Sequence, residues 1–150
     1  LGDSVGSIYC DFGLVELFET VGIEAALASL QRATASMLFD QAFSMLAIVF
    51  AGLGLASAQG EDELVAYWLG ACDALRKRIR IVQFAYRQRM SETIARVTEA
   101  RLGPDRFQAL FSQGLSDSPR IAQASFDQWV HQMSQHYATL DERLTPSRCT

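Results

Sequence analysis

Proline is scarce, and its placement is informative. The three prolines stand at 104, 119 and 146, each after Gly, Ser or Thr, so each reads as a helix boundary while the first hundred residues run without a proline break. Lysine is reduced to Lys77 beside twelve arginines, a bias with no chemistry attached. Cys10, Cys72 and Cys149 form no CxxC pair and leave an odd thiol over, which argues against a secreted disulfide framework and for reduced thiols, two of them set among apolar neighbours. There is no GxxxxGK[ST] loop or HExxH pair, so no phosphate-binding or zincin site is expected. Charge-free runs are short: Ala42 to Ala58 is the only membrane candidate, at the lower limit of the roughly 17–25 residues a span requires and without aromatic or basic anchors. It reads as a buried helix, and no membrane association is expected. Leu1-Gly2-Asp3 opens without methionine or a basic leader, so the expectation is a cytoplasmic segment of a longer protein.

Strand patterning is also missing. Apolar residues recur at three- and four-residue steps, which predicts an all-α chain of about seven helices. The first runs from Asp3 to about Val21 with Ile8, Phe12, Val15 and Phe18 on its stripe, and the second from Ile23 to about Leu38. Asp40 caps a third that reaches Gln59, and Glu61 opens a fourth that closes on Arg76, Lys77, Arg78 and Arg80. The hairpins therefore cover about 3–38 and 40–80, followed by helices at about 84–102, 105–113 (stopped by Gly114) and 119–140 in one domain over 1–140, with a frayed tail over 141–150.

The hairpins repeat. The segment from Gly13 to Gly22 lies over that from Ala51 to Gly60 at an offset of 38 residues, and Ala26, Leu30 and Ala33 then correspond to Val65, Leu69 and Cys72 with one residue gapped. Small residues flanking a larger one let the second helix of a hairpin approach the first, and Gly22 and Gly60 supply the left-handed turn. The run Gly52-Leu53-Gly54-Leu55-Ala56-Ser57-Ala58-Gln59-Gly60, with Trp68-Leu69-Gly70-Ala71-Cys72-Asp73-Ala74-Leu75-Arg76 after it, resembles the last repeats of large LuxR-type, maltose-activator-like bacterial regulators. Leu1-Gly2-Asp3, Ala95-Arg96-Val97, the stretch from Leu102 to Phe107, Phe111 and Gly114-Leu115-Ser116 extend the likeness over roughly residues 1 to 125. In that family an ATPase module, with a nucleotide cyclase domain before it in some relatives, precedes a tetratricopeptide-like sensor and a DNA-binding helix-turn-helix. The resemblance implies tetratricopeptide-like hairpins in a short right-handed α-solenoid that senses a small-molecule effector or a protein. It implies no catalysis, no cofactor and no direct contact with nucleic acid, since neither the ATPase loop nor a recognition helix is present. The segment Ile79 to Phe84 and residues 126–150 depart from the family pattern. A second reading is a stand-alone adaptor or dimerisation scaffold.

Charge is unevenly spread. Residues 1–75 hold ten acids against Arg32, whereas 76–101 hold eight bases against Glu92 and Glu99. Helix-dipole complementarity and an arginine-rich outer face account for this more simply than an anionic partner does. Phe84 and Tyr86 interleave with Arg87 and Arg89, but fit an apolar stripe with Met90, Ile94 and Val97. Candidate binding residues are Tyr9, Tyr67 and Trp68, since hairpin arrays bind along a concave face, together with Arg87 and Arg89. Trp68 and Trp129 are the anchors such a groove would use, although Trp68, beside the core position Leu69, reads more simply as covering a neighbouring helix. A homo-oligomer is expected, with Ile8, Phe12 and Val15 as the self-association surface and Arg87 and Arg89 facing the acidic half of a second copy. His131 and His136 are five apart and share no helix face as ligands would, so no metal is expected.

Overall fold

The computed structural model describes residues 20, 22–35, 52–79 and 85–144. Among them there is no strand, and the chain is all-helical: a helical stretch over 52–58 and five helices, α1 (Ile23–Ala35), α2 (Asp62–Ile79), α3 (Ala85–Leu102), α4 (Pro104–Ser116) and α5 (Pro119–Leu144). None of the described helices is long and apolar enough to cross a membrane. The helix and the surface expected around Ile8, Tyr9, Phe12 and Val15 lie outside the described residues, as does most of the charge-free run.

Local chemistry sets the boundaries. Gly60, at φ 78°, closes the 52–58 stretch, with its N–H on Ser57 O (3.1 Å) and the Glu61 N–H on Ala56 O (3.0 Å). This paired capping uses the left-handed conformation that only glycine adopts without strain. Asp62 and Glu63 then open α2, and Arg76, Lys77 and Arg78 close it, each set facing the helix-dipole end of opposite sign. Gly103 does two jobs in one residue: its N–H bonds to Glu99 O (2.8 Å) at the end of α3, and its C=O accepts from the Phe107 N–H (3.0 Å) at the start of α4. Its φ of 84°, with Pro104 next, reverses the chain without a linker.

Two boundaries differ from the sequence reading. Gly114 does not stop α4, which runs on to Ser116 and ends where Asp117 turns extended with its N–H on Gln113 O (2.9 Å). The last helix continues through residues 141–144, read above as the start of a frayed tail.

Packing explains the role of Gly114. A Cβ there would run into the Tyr67 carbonyl of α2, and a Cβ on Gly70 would run into the Phe111 carbonyl of α4. The two helices thus cross backbone against backbone through a pair of reciprocal glycines, and theirs is the most extensive helix–helix contact described. Arg101 at the end of α3 meets Asp62 at the start of α2 (3.2 Å), so α2 and α3 are antiparallel. Arg106 at the start of α4 meets Glu63 (2.8 Å), so α2 and α4 run parallel. The acidic opening of α2 is therefore answered within the chain by the basic end of α3 and the start of α4.

The core lies on the other side of α2. Trp68 is fully buried, with its ring edge-on to Phe126 (5.0 Å between centroids) and Trp129 (5.4 Å), and its Nε1–H donates to Ser125 Oγ (3.1 Å). Ala26, Leu30 and Ala33 of α1 and their repeat counterparts Val65, Leu69 and Cys72 of α2 are all buried. The last helix folds back rather than stacking only on its sequence neighbours. Phe126 sits on Gly52, Tyr137 OH donates to Gln59 Oε1 (3.1 Å), and α5 packs along α1. In a simple solenoid each repeat touches only adjacent ones, and this closing contact is not one that such a plan supplies.

Candidate functional site

The glycine crossing determines where a cleft opens. Because α4 lies so close to α2, Phe111 stands beside Leu69 and Cys72, and α3 crosses the pair to form the third wall. The cleft measures 230 Å³ and is lined by Leu69, Cys72, Asp73 and Arg76 of α2, Gln88, Ser91, Glu92 and Ala95 of α3, and Phe111 of α4. Leu69, Cys72, Ala95 and Phe111 make its floor apolar, and charged and amide groups form its rim.

The rim is organised in pairs. One Asp73 oxygen accepts from Arg76 and the other from Lys77, both at 2.7 Å and both within one turn of α2. Burial pushes the Asp73 carboxyl up, but these two cations together outweigh it and hold the group below the usual carboxylate range. On α3, Gln88 Nε2–H donates to Glu92 Oε1 (3.1 Å). At the floor, complete burial, and then the Asp73 charge, push the Cys72 thiol far above its ordinary value. A thiol in that state is no nucleophile. The cleft therefore offers no reactive thiol, and the carboxyl of Asp73 is held ionised and engaged. Its volume is below the roughly 300–1,000 Å³ of drug-sized pockets, a size for one apolar side chain or a small fragment with a polar edge.

The residues singled out in the sequence fall elsewhere. Trp68 is buried in the aromatic core, and Tyr67 is only 7% exposed, so neither ring is available to a partner in this conformation. Tyr67 instead bridges α2 to the end of α4: its OH donates to Asp117 Oδ2 (2.9 Å). Burial first, then the bond to Asp117 and its charge, push the phenol up to about 12. Trp129 is likewise buried. Arg89 is exposed on the outer side of α3 and does not line the cleft, while the side chain of Arg87 and all of Tyr9 lie outside the described residues. His131 pairs with Gln135 (3.0 Å) and His136 stands edge-on to Tyr137, both exposed on α5. No group of three or more potential metal ligands occurs among the described residues.

Sequence reasoning passed over the cleft residues, although one signal was present. An acid followed at three and four residues by bases, as in Asp73, Arg76 and Lys77, can mark a carboxylate held ionised on a helix face. Set against known proteins, the chain matches no family model, no curated protein and no solved structure.

Proposed function

We propose that this chain is a non-catalytic helical binding module, the tetratricopeptide-like sensor or interaction segment of a larger bacterial transcriptional regulator. Its effector or protein partner enters the cleft between α2, α3 and α4. The observation that carries the reading is the chemistry of that cleft: an apolar floor under a rim of paired charges, with a buried, protonated thiol where a catalytic group would need to be reactive. Such a site recognises shape and charge. The solenoid plan, the cytoplasmic setting, and docking to other domains or to a second copy through Ile8, Phe12 and Val15 belong to the same reading, and rest on the repeat and the family resemblance.

Thermal-shift screening of the whole chain against small polar-apolar effectors tests this. A ligand that binds the folded state at about a hundredfold over its Kd stabilises it by about 2.7 kcal/mol. Ala95→Trp, which fills the cleft from its floor, is expected to abolish that shift while the far-UV spectrum stays helical. A shift that survives Ala95→Trp would place the site elsewhere, and a panel without any stabilising compound would count against the sensor role.

A further inference from the structure

A second polar feature lies on α5, and it is independent of the cleft. Arg120, Gln123, Ala124 and Asp127 line a cavity of 490 Å³, within the size range of small-molecule sites. Spaced at three, four and seven residues, they form one stripe along the helix. Gln123 is 8% exposed as a residue, and its amide makes no hydrogen bond among the described residues. Asp127 Oδ1 is buried and equally without a partner there, and burial pushes that carboxyl above its usual range. Arg120 is exposed and has no ion-pair partner among the described residues. Buried polar groups are nearly always satisfied in folded proteins. An orphaned carboxylate oxygen on a cavity wall, one turn from an amide that also makes no hydrogen bond among the described residues, therefore calls for an occupant.

Spacing and charge define that occupant. Arg120 and Asp127 are seven residues apart, about 10 Å along the axis, too far to pair directly within one straight helix stripe. A cation thus sits at one end of the stripe and an unpaired carboxylate at the other, with the Ala124 methyl and a neutral amide between them. The complement is an elongated zwitterion. Its carboxylate would meet Arg120 near the positive dipole end of α5. Its N–H-rich cation would meet Asp127, its aliphatic stem would cross Ala124, and the Gln123 amide would accept from the same cation. We propose that this face of α5 binds a free basic amino acid, of the chemistry of arginine or lysine.

The test is calorimetric titration of the whole chain with L-arginine, L-lysine and agmatine, which keeps the guanidinium but lacks the carboxylate. Saturable binding of L-arginine or L-lysine is expected. Asp127→Asn should weaken it about thirtyfold or more, the loss that follows when one partner of a buried charge pair is removed. Arg120→Gln, at an exposed position, should weaken the amino acid about threefold, as for a surface pair, and leave agmatine unchanged. Equal affinity of the parent and Asp127→Asn would overturn the proposal, as would no saturable binding of either amino acid, leaving water as the occupant. If Asp127→Asn loses its helical spectrum, the Arg120→Gln comparison decides, because an equal effect on agmatine and L-arginine contradicts the assigned orientation.

Discussion

Helix α2 is held on two sides by opposite means. Toward α4 it presents Gly70 and receives Gly114, and the contact exists because two side chains are missing. Toward α5 it presents Trp68, and the contact exists because three large rings fill one space. The first interface is intolerant of anything added, and the second of anything removed. Backbone cannot move aside as a side chain can, so the glycine crossing has little room to relax. The aromatic side can rearrange, but it loses apolar burial in doing so.

The largest effect should come from emptying the aromatic side. Trp68→Ala is expected to cost about 3–5 kcal/mol, from lost burial, the cavity left behind and the vacated bond to Ser125, as read by urea denaturation. A loss under about 1 kcal/mol would mean that the rings do not share one packed core. Next comes the crossing. Gly114→Ala should cost about 3 kcal/mol, the upper end of overpacking, because the new methyl meets the Tyr67 carbonyl. Gly52→Ala sharpens the comparison, since its methyl meets only the Phe126 ring and the ring can shift, for a cost nearer about 1 kcal/mol. Equal penalties at Gly52 and Gly114 would erase the distinction between backbone and side-chain neighbours.

Tyr67→Phe probes whether a side-chain clasp also secures the crossing. Losing the bond to Asp117 should cost about 1 kcal/mol, or about 2–4 °C in Tm for a chain of this size. The phenol is raised from 10.0 to about 12 in the fold. Its contribution is therefore complete below pH 10 and is lost as pH rises from 10 toward 12. The variant should lack that alkaline decline. The smallest effect concerns the cleft beside the crossing. With the folded Asp73 carboxyl held below the ordinary 3.8, its stabilisation is present above that value and is lost as pH falls through the lowered one. Asp73→Asn should flatten this part of the acid limb, and an unaltered limb would show that Arg76 and Lys77 do not hold the carboxylate.

The sequence made some of this legible and hid the rest for physical reasons. Helix ends that depend on local chemistry could be read: Gly60 with the acids after it, and Gly103 before Pro104. So could the burial of Ala26, Leu30 and Ala33 with Val65, Leu69 and Cys72, because a repeated packing position leaves a repeated residue size. Gly114 misled because a glycine that ends a helix and a glycine that admits another backbone look the same in one dimension. Trp68 was ambiguous for a related reason, since an aromatic residue serves a groove or a core equally well until its neighbours are known. The cleft and the polar stripe of α5 were invisible as sites. The first needs three helices in fixed relation, and the second is recognised by partners that Gln123 and Asp127 lack.

The return of α5 onto α1 also sets a clock. Glu24, Leu27, Ala28 and Gln31 face Ser134, Tyr137 and Ala138 across a shared groove, a separation of about 100 residues along the chain. At about 5–20 residues per second of synthesis, the surface of α1 that α5 covers waits on the order of 5–20 s before its partner has been made. During that interval Leu27 and Ala28, the apolar residues of α1 on that groove, are without the helix that later faces them, the window in which a chaperone would have something to hold.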